Sequence, residues 1–209
     1  MRSNLHYCIV MKLLKISLFV IVCLIISCDR KLDYYNVSVQ SNNGNFNAII
    51  EIPAGTNKKI EYNNLSKTFE VDLKNGKDRI VQFLPYIGNY GYIPSTFSNP
   101  KEGGDGDALD VLVLSENVET GTIIEIEPIA VLKLLDKGEI DYKIIAIPAN
   151  KTTQIIKVDL GDNFLIDYPA VKTMIELWFL NYNKEDVSII EGWGNREEAI
   201  YEIEKNKRK

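Results

Sequence analysis

Asp105, Asp107 and Asp110 fall within six residues of one another in Gly103-Gly-Asp-Gly-Asp-Ala-Leu-Asp110, and an apolar run, Val111 to Leu114, follows at once. Carboxylates this close repel one another unless a cation sits among them, and an all-oxygen donor set suits Mg²⁺, Mn²⁺ or Ca²⁺. Glu51, Glu61, Asp136 and Asp141 stand in turns or beside basic residues elsewhere in the chain, and Lys59, Arg79, Lys143 and Lys184 are the bases in similar company. Lysine and arginine next to a carboxylate-held cation are ordinary equipment for gripping phosphate. Taken alone, an Asp-Gly-Asp loop is more often a simple turn, so the accompanying acids and bases carry the weight. A calcium EF-hand fails on spacing. With Asp105 as position 1, Asp107 and Glu116 fit positions 3 and 12, but Leu109 and Asp110 stand where a ligand and a glycine are required.

Composition narrows the chemistry further. The single histidine is His6 and the three cysteines are Cys8, Cys23 and Cys28, all within the first 28 of 209 residues. The rest of the chain has no residues for a zinc site, a Ser-His-Asp triad or a disulfide. A formal net charge of −5, with 45% hydrophobic and 25% charged residues, describes an ordinary globular chain without the basic face that nucleic acid requires. Attack by metal-activated water on a phosphoanhydride is the reaction that these residues suit.

The elements that must position them read as short strands followed by helices. Phe46–Ile52 and Lys67–Leu73 are strand-like, and Lys74-Asn-Gly-Lys77 is a turn. Phe83 to Pro94, with three tyrosines, reads as a shaped irregular segment. Thr122–Glu127 and Ile129–Leu135, split by Pro128, read as two strands, and a further strand follows Asp141 and ends at Pro148. Val171, Met174, Ile175, Trp178, Phe179 and Tyr182 keep helical spacing, and Asn195 with Glu198 forms a capping box for a terminal helix ending in a solvated basic tail. The expected fold is α+β, mainly β: a small five-stranded closed barrel flanked by C-terminal helices, in one domain over 46–209.

Asp105-Gly-Asp107-Ala-Leu-Asp110-Val111 resembles the signature of the family I soluble inorganic pyrophosphatases, with Ala108 where Pro or Glu is usual. The similarity continues in order through Ile49-Ile-Glu51-Ile-Pro53, Lys59-Ile-Glu61, Asn89-Tyr90-Gly91-Tyr92, Asp136, Asp141-Tyr-Lys143, Tyr182 and Glu191-Gly-Trp-Gly-Asn195. It implies an OB-like barrel that hydrolyses pyrophosphate to two phosphates with several Mg²⁺ ions, or Mn²⁺, and that assembles as a homo-oligomer. Carried over by position, Asp105, Asp110 and Asp141 would hold the principal metal, and Asp107 would touch metal and take the proton of the attacking water. Asp136 and Glu51 would hold further ions. Lys59, Arg79, Tyr90, Lys143 and Tyr182 would grip phosphate, with Glu61 and Tyr86 in support. Asn183 stands where the family has lysine, leaving Lys184 as the substitute. The alternative is a non-catalytic, membrane-tethered lipoprotein that binds phosphate, polyphosphate or divalent cations.

The amino terminus points to the membrane. Lys12 and Lys15 precede the apolar stretch Ile16–Ile26, too short for the roughly 20 residues of a comfortable span. This is the layout of a secretory signal peptide over residues 1–27, with Met11 as the candidate initiator. Ile25-Ile-Ser-Cys28 resembles a bacterial lipobox, which would lipidate Cys28 and hold the protein in the cell envelope; the alternative is a cytoplasmic protein whose signal is not used. Residues 28–45 would then form a flexible tether. Mass spectrometry of the native amino terminus is expected to find an acylated Cys28 as the first residue, and an unmodified chain starting at Met1 or Met11 would rule the anchor out.

Overall fold

Strands whose two faces are both apolar need cover on both sides, and that requirement shapes this molecule. The computed structural model describes residues 31–158, 163–183 and 187–208. The expected signal segment, Cys28 and Lys184 lie outside the described residues.

In chain order, β1 (Phe46–Ile52) leads to a hairpin of β2 (Ile60–Asn63) with β3 (Thr68–Val71), and then to a smaller hairpin of β4 (Leu73–Lys74) with β5 (Lys77–Asp78). Next come β6 (Asn89–Tyr92), β7 (Asp110–Val113), the long β8 (Ile123–Asp136), β9 (Glu139–Ile140) and β10 (Lys143–Pro148). A short helix α1 (Phe164–Asp167) precedes α2 (Pro169–Asn181), β11 (Ser188–Gly194) and α3 (Arg196–Lys205). Five strands make a ring of pairings: β1 with β6, β6 with β7, β7 with β10, β10 with β8, and the first residues of β8 with β1. This is the expected OB-like barrel. Its one parallel pair, β7 with β10, sets Asp110 opposite Lys143.

Side chains alternate between two covered faces. Leu112, Leu114, Ile145 and Ile147 pack with Ile175, Trp178 and Phe179 of α2, while Val111, Val113, Ile144 and Ala146 pack with Ala199 and Ile203 of α3. Asp110 and Lys143 stand two residues before Leu112 and Ile145, so they continue the α2-facing rows beyond the apolar part.

Several sequence expectations change. Pro128 does not divide two strands: it lies inside β8, where the register to β10 slips between Ile145 and Ala146, and a bulge is where a strand tolerates proline. Asn89–Tyr92, within the stretch read as irregular, forms β6 between β1 and β7. Met174 is 55% exposed, so the buried stripe of α2 narrows to Ile175, Trp178 and Phe179. The basic tail is not free in solvent. Arg208 donates from its backbone to Ser95 O and from Nε to Thr96 O (3.0 Å), and its guanidinium sits 5.6 Å from the Tyr35 ring centroid.

The stretch read as a tether also differs from Asp33 onward. Asp33–Lys209 behaves as one compact unit. Tyr35 stacks on Tyr92 with centroids 5.0 Å apart, Tyr34 meets Phe69 at 4.9 Å, and Lys67 Nζ reaches Asp33 Oδ2 at 2.7 Å. Aromatic burial outweighs the polar composition that suggested a loose linker.

One backbone contact has consequences for the site. The register of β1 on β6 slips between Ile50 and Ile52, making Glu51 the extra residue of a bulge. A Cβ on Gly91 would fall 1.9 Å from Ile49 O and 3.0 Å from Glu51 N. Gly91→Ala is therefore expected to destabilise the fold by about 3 kcal/mol, read as a lowered thermal midpoint. A melting curve unchanged from wild type would contradict the close approach.

Candidate active site

The acidic loop is held by its own polar groups. Asn99 caps the turn Pro100–Glu102 by accepting from Lys101 N at 3.0 Å. Ser98 N donates to Asp107 O (2.7 Å), Gly106 N to Ser98 O (2.9 Å) and Asp107 N to Asp105 Oδ1 (3.0 Å). Thr96 Oγ1 accepts from Leu109 N at 2.9 Å, and Ile140 N donates to Gly103 O at 2.7 Å. The loop is thus tied to β9, directly before Asp141. Ala108 is buried against Ile49, Tyr62 and Tyr92.

The parallel register of β7 and β10 brings the first charged group into place. The Lys143 side chain is only 5% exposed, and its ammonium bonds Asp110 Oδ2 at 2.5 Å and Asp141 Oδ1. Burial opposes its charge, but Asp110 and Asp141 outweigh burial and hold its pKa above the usual lysine range. Tyr90 Oη donates to the same Asp110 Oδ2 at 2.5 Å, and burial followed by the Asp110 charge pushes that phenol up, keeping it a donor.

Glu51 enters from the bulge and accepts from Tyr62 N at 2.7 Å, which fixes it to the β2–β3 hairpin. Burial, then the charges of Asp110 and Glu61, pushes its carboxyl up to about 8. Asp105 and Asp107 are raised as well, by burial first and then by neighbouring carboxylates. On the basic side, Lys59 Nζ lies 2.6 Å from Glu61 Oε1 and Arg79 Nη1 lies 3.1 Å from Asp72 Oδ2.

Except for Asp72, these charged groups line one cavity of about 390 Å³. It brings together the acids Glu51, Glu61, Asp105, Asp107, Asp110, Asp136 and Asp141, the bases Lys59, Arg79 and Lys143, and Tyr86, Tyr90 and Tyr182. Every candidate residue within the described part of the chain is there. Sequence reasoning missed Tyr35, Tyr62, Tyr92, Lys137, Glu139 and Trp178, which share the lining. The pair Tyr34-Tyr35, followed by alternating Val37 and Val39, was the available signal for the first of these. Tyr35 is pushed up to about 12 by burial and by the Glu51 and Asp107 charges, and the enclosed Tyr92 hydroxyl has no hydrogen-bond partner among the described residues.

The donor set fits a hard divalent cation. It is all oxygen, and its carboxyls are raised by desolvation and mutual repulsion, both of which a cation relieves. Among the described residues no three acids already converge as a ready-made cage, and the Lys143 ammonium lies between Asp110 and Asp141. An entering cation would compete with Lys143 for those two carboxylates.

A small barrel presenting carboxylates opposite lysines, an arginine and tyrosines in one cavity is the build of a cation-assisted enzyme for phosphorylated anions. The inorganic pyrophosphatase family model matches residues 48–209. An inorganic pyrophosphatase of Neisseria meningitidis is 35% identical over 167 residues, covering 75% of this chain and 83% of that protein. The crystal structure of an inorganic pyrophosphatase from Neisseria gonorrhoeae superposes with a TM-score of 0.68 at 32% identity, over 83% of this chain and 96% of the other. A type I inorganic pyrophosphatase from Toxoplasma gondii gives 0.75 at 25% identity, over 86% and 87%. The chain belongs to the inorganic pyrophosphatase family.

The raised Glu51 carboxyl has a testable sign. A carboxyl whose folded pKa lies above its unfolded value adds stability that is complete below about pH 4.5 and lost as pH rises through about 8. In metal-free protein, Glu51→Gln is therefore expected to melt higher than wild type at pH 8.5, with the difference shrinking toward pH 5. A variant that melts lower than wild type at pH 8.5 would refute the crowding argument.

Proposed function

We infer that this protein is an inorganic diphosphatase, hydrolysing pyrophosphate to two phosphates with the aid of Mg²⁺, or Mn²⁺ in its place. The observation that carries this reading is a single cavity in which seven of the lining acids face Lys59, Arg79 and Lys143, in a chain of this family. The binding-only alternative is not favoured, because the cavity contains a basic carboxylate as well as the means to hold an anion.

Asp105, Asp110 and Asp141 are assigned to the principal metal, Asp107 to a shared contact, and Glu51 and Asp136 to the additional ions. When bound, the metal supplies charge that neutralises phosphate oxygens and acidifies water. Asp107 takes the proton of the attacking water; burial and the nearby Asp110 charge raise its carboxyl, which makes it a stronger base than an exposed aspartate. Lys59, Arg79 and Lys143 pair with phosphate oxygens, and the Tyr90 and Tyr182 phenols, kept protonated by burial, donate to them. Glu61 holds Lys59 in position at 2.6 Å. Tyr86 wedges between Trp178 and Tyr90, with centroids 4.6 Å and 5.3 Å away, and thereby sets the tyrosine wall. Lys184 is kept as a phosphate contact on the sequence alone.

Attachment to the cell envelope through Cys28 and assembly as a homo-oligomer belong to the same proposal. The first rests on residues 11–28 and the second on the family resemblance. Among the described residues no helix is long and apolar enough to cross a membrane.

Phosphate release from pyrophosphate with Mg²⁺ tests the assignment. Asp107→Asn is expected to lower kcat by about 10²-fold to 10⁴-fold with a smaller change in KM, as loss of a general base does. Retention of near wild-type kcat would remove Asp107 from that role, and absence of metal-dependent turnover in wild type would remove the function.

A further inference from the structure

We propose that the Tyr35 hydroxyl donates a hydrogen bond to an oxygen of the bound pyrophosphate, so that a residue ahead of the barrel takes part in holding the substrate. This rests on the pyrophosphatase reading above and adds to it a residue outside the segment, 48–209, that the family model matches.

Tyr35 lines the catalytic cavity together with Glu51, Lys59, Glu61 and Asp107. Its ring is held by three neighbours. It stacks on Tyr92 with centroids 5.0 Å apart and an interplanar angle of 25°, meets Tyr62 at 5.4 Å, and carries the Arg208 guanidinium 5.6 Å from its centroid. The backbone around it is pinned as well. Tyr34 N donates to Tyr62 Oη at 3.3 Å, Ser95 N to Tyr35 O at 3.0 Å and Ser95 Oγ to Val37 O at 2.8 Å. Ser95 does this from a left-handed backbone, with φ of 54°, which a non-glycine residue adopts at a cost. A side chain fixed in this way has its polar end in place before a ligand arrives, so little ordering is left for binding to supply.

That polar end is unused. The Tyr35 hydroxyl makes no hydrogen bond among the described residues. Its stacking partner Tyr92 lines the same cavity, and the enclosed Tyr92 hydroxyl has no partner there either. Buried phenols ordinarily find a partner, and packing alone asks for no hydroxyl: the same aromatic cluster uses Phe69. Two unanswered hydroxyls side by side on the cavity wall mark a position for an oxygen-bearing ligand.

The charges nearby decide which oxygen that is. Burial first, then Glu51 and Asp107, push the Tyr35 phenol up, so it stays a donor and what it lacks is an acceptor. A cation cannot accept a proton bond. The carboxylates beside Tyr35 are the groups that cations would occupy, which leaves the oxygens of the phosphate as acceptors. Lys59 sets their place. It lines the cavity with Tyr35, and Glu61, the residue before Tyr62, holds its ammonium at 2.6 Å. A phosphate oxygen paired with Lys59 would therefore sit on the side of the cavity that Tyr35 covers.

The test compares full-length wild type, Tyr35→Phe and Tyr34→Phe in saturating Mg²⁺. Tyr35→Phe keeps the stacked ring and removes only the hydroxyl, and Tyr34 is the adjacent phenol outside the cavity lining. Calorimetry with imidodiphosphate, whose P–N–P bridge resists hydrolysis, reads affinity, and phosphate release from pyrophosphate reads kcat and KM. Tyr35→Phe is expected to lose about tenfold in affinity for the analogue and to raise KM by about tenfold, with kcat within about threefold of wild type and an unchanged melting midpoint. Tyr34→Phe should bind and turn over as wild type does. Wild-type affinity and KM in Tyr35→Phe would overturn the proposal. So would an equal loss in Tyr34→Phe, or an effect confined to the Mg²⁺ concentration that gives half-maximal rate. Failure of wild type to hydrolyse pyrophosphate would strike the underlying reading instead, while analogue binding by wild type and Tyr35→Phe would still decide the contact.

Discussion

A lysine ammonium enclosed between two aspartates is the constraint on which the rest of this structure depends. Lys143 is buried, and a buried charge is tolerated only when paired and hydrogen-bonded. Its partners, Asp110 and Asp141, repel each other and would each be costly to bury alone. The arrangement works because β7 and β10 run parallel with Asp110 opposite Lys143, and because Asp141 precedes Lys143 by two residues. A register slip of one residue would turn the whole row to the other face and send Leu112 and Ile145 out of their cluster. Packing of the apolar rows against α2 therefore specifies where the charges stand.

A second layer is built on backbone shape rather than charge. The bulge in β1 turns Glu51 toward the cavity, and it exists because Gly91 lets the two backbones approach. The wall formed by Tyr86, Tyr90, Trp178 and Tyr182 lines the cavity beside the acids, and Trp178 is itself held by donating from Nε1 to Leu84 O and Pro85 O. Lower polarity strengthens every electrostatic interaction inside, for good or ill. It raises Glu51, Asp105 and Asp107 in the metal-free protein, and it makes a cation or a phosphate in the same place correspondingly more effective.

Much of the architecture was legible in the sequence, and the exceptions share a physical origin. Strand alternation, the capping box at Asn195 and the spacing of Trp178 and Phe179 are local signals, and they led to the barrel and its helices. The acids and bases could be collected by residue type because the chain lacks histidine and cysteine after residue 28. What escaped was non-local. Pro128 marks a strand end by its own propensity, yet a bulge opposite Ile145 and Ala146 absorbs it. Asp33 to Asn45 is polar enough to pass for a tether, and it is distant groups, among them the rings of Tyr62, Phe69 and Tyr92, that give Tyr34 and Tyr35 something to pack on. The tail after Lys205 looked solvated because its partners, Ser95, Thr96 and Tyr35, come from elsewhere in the chain.

Charge in and around the cavity bears on how an anion would enter it. Eight acids line it against four bases, and an excess of negative charge remains even with Glu51 protonated. With a formal net charge of −5, the protein as a whole offers a polyanion no long-range attraction. A bare phosphoanhydride approaching the acids would be repelled at every distance. Cations would remove the barrier. Divalent cations among the carboxylates would reverse the sign of the interior, so that groups repelling phosphate in the metal-free protein would help to hold it. Lys143 would belong to both arrangements, since a cation that took over Asp110 and Asp141 would leave its ammonium available to a phosphate oxygen.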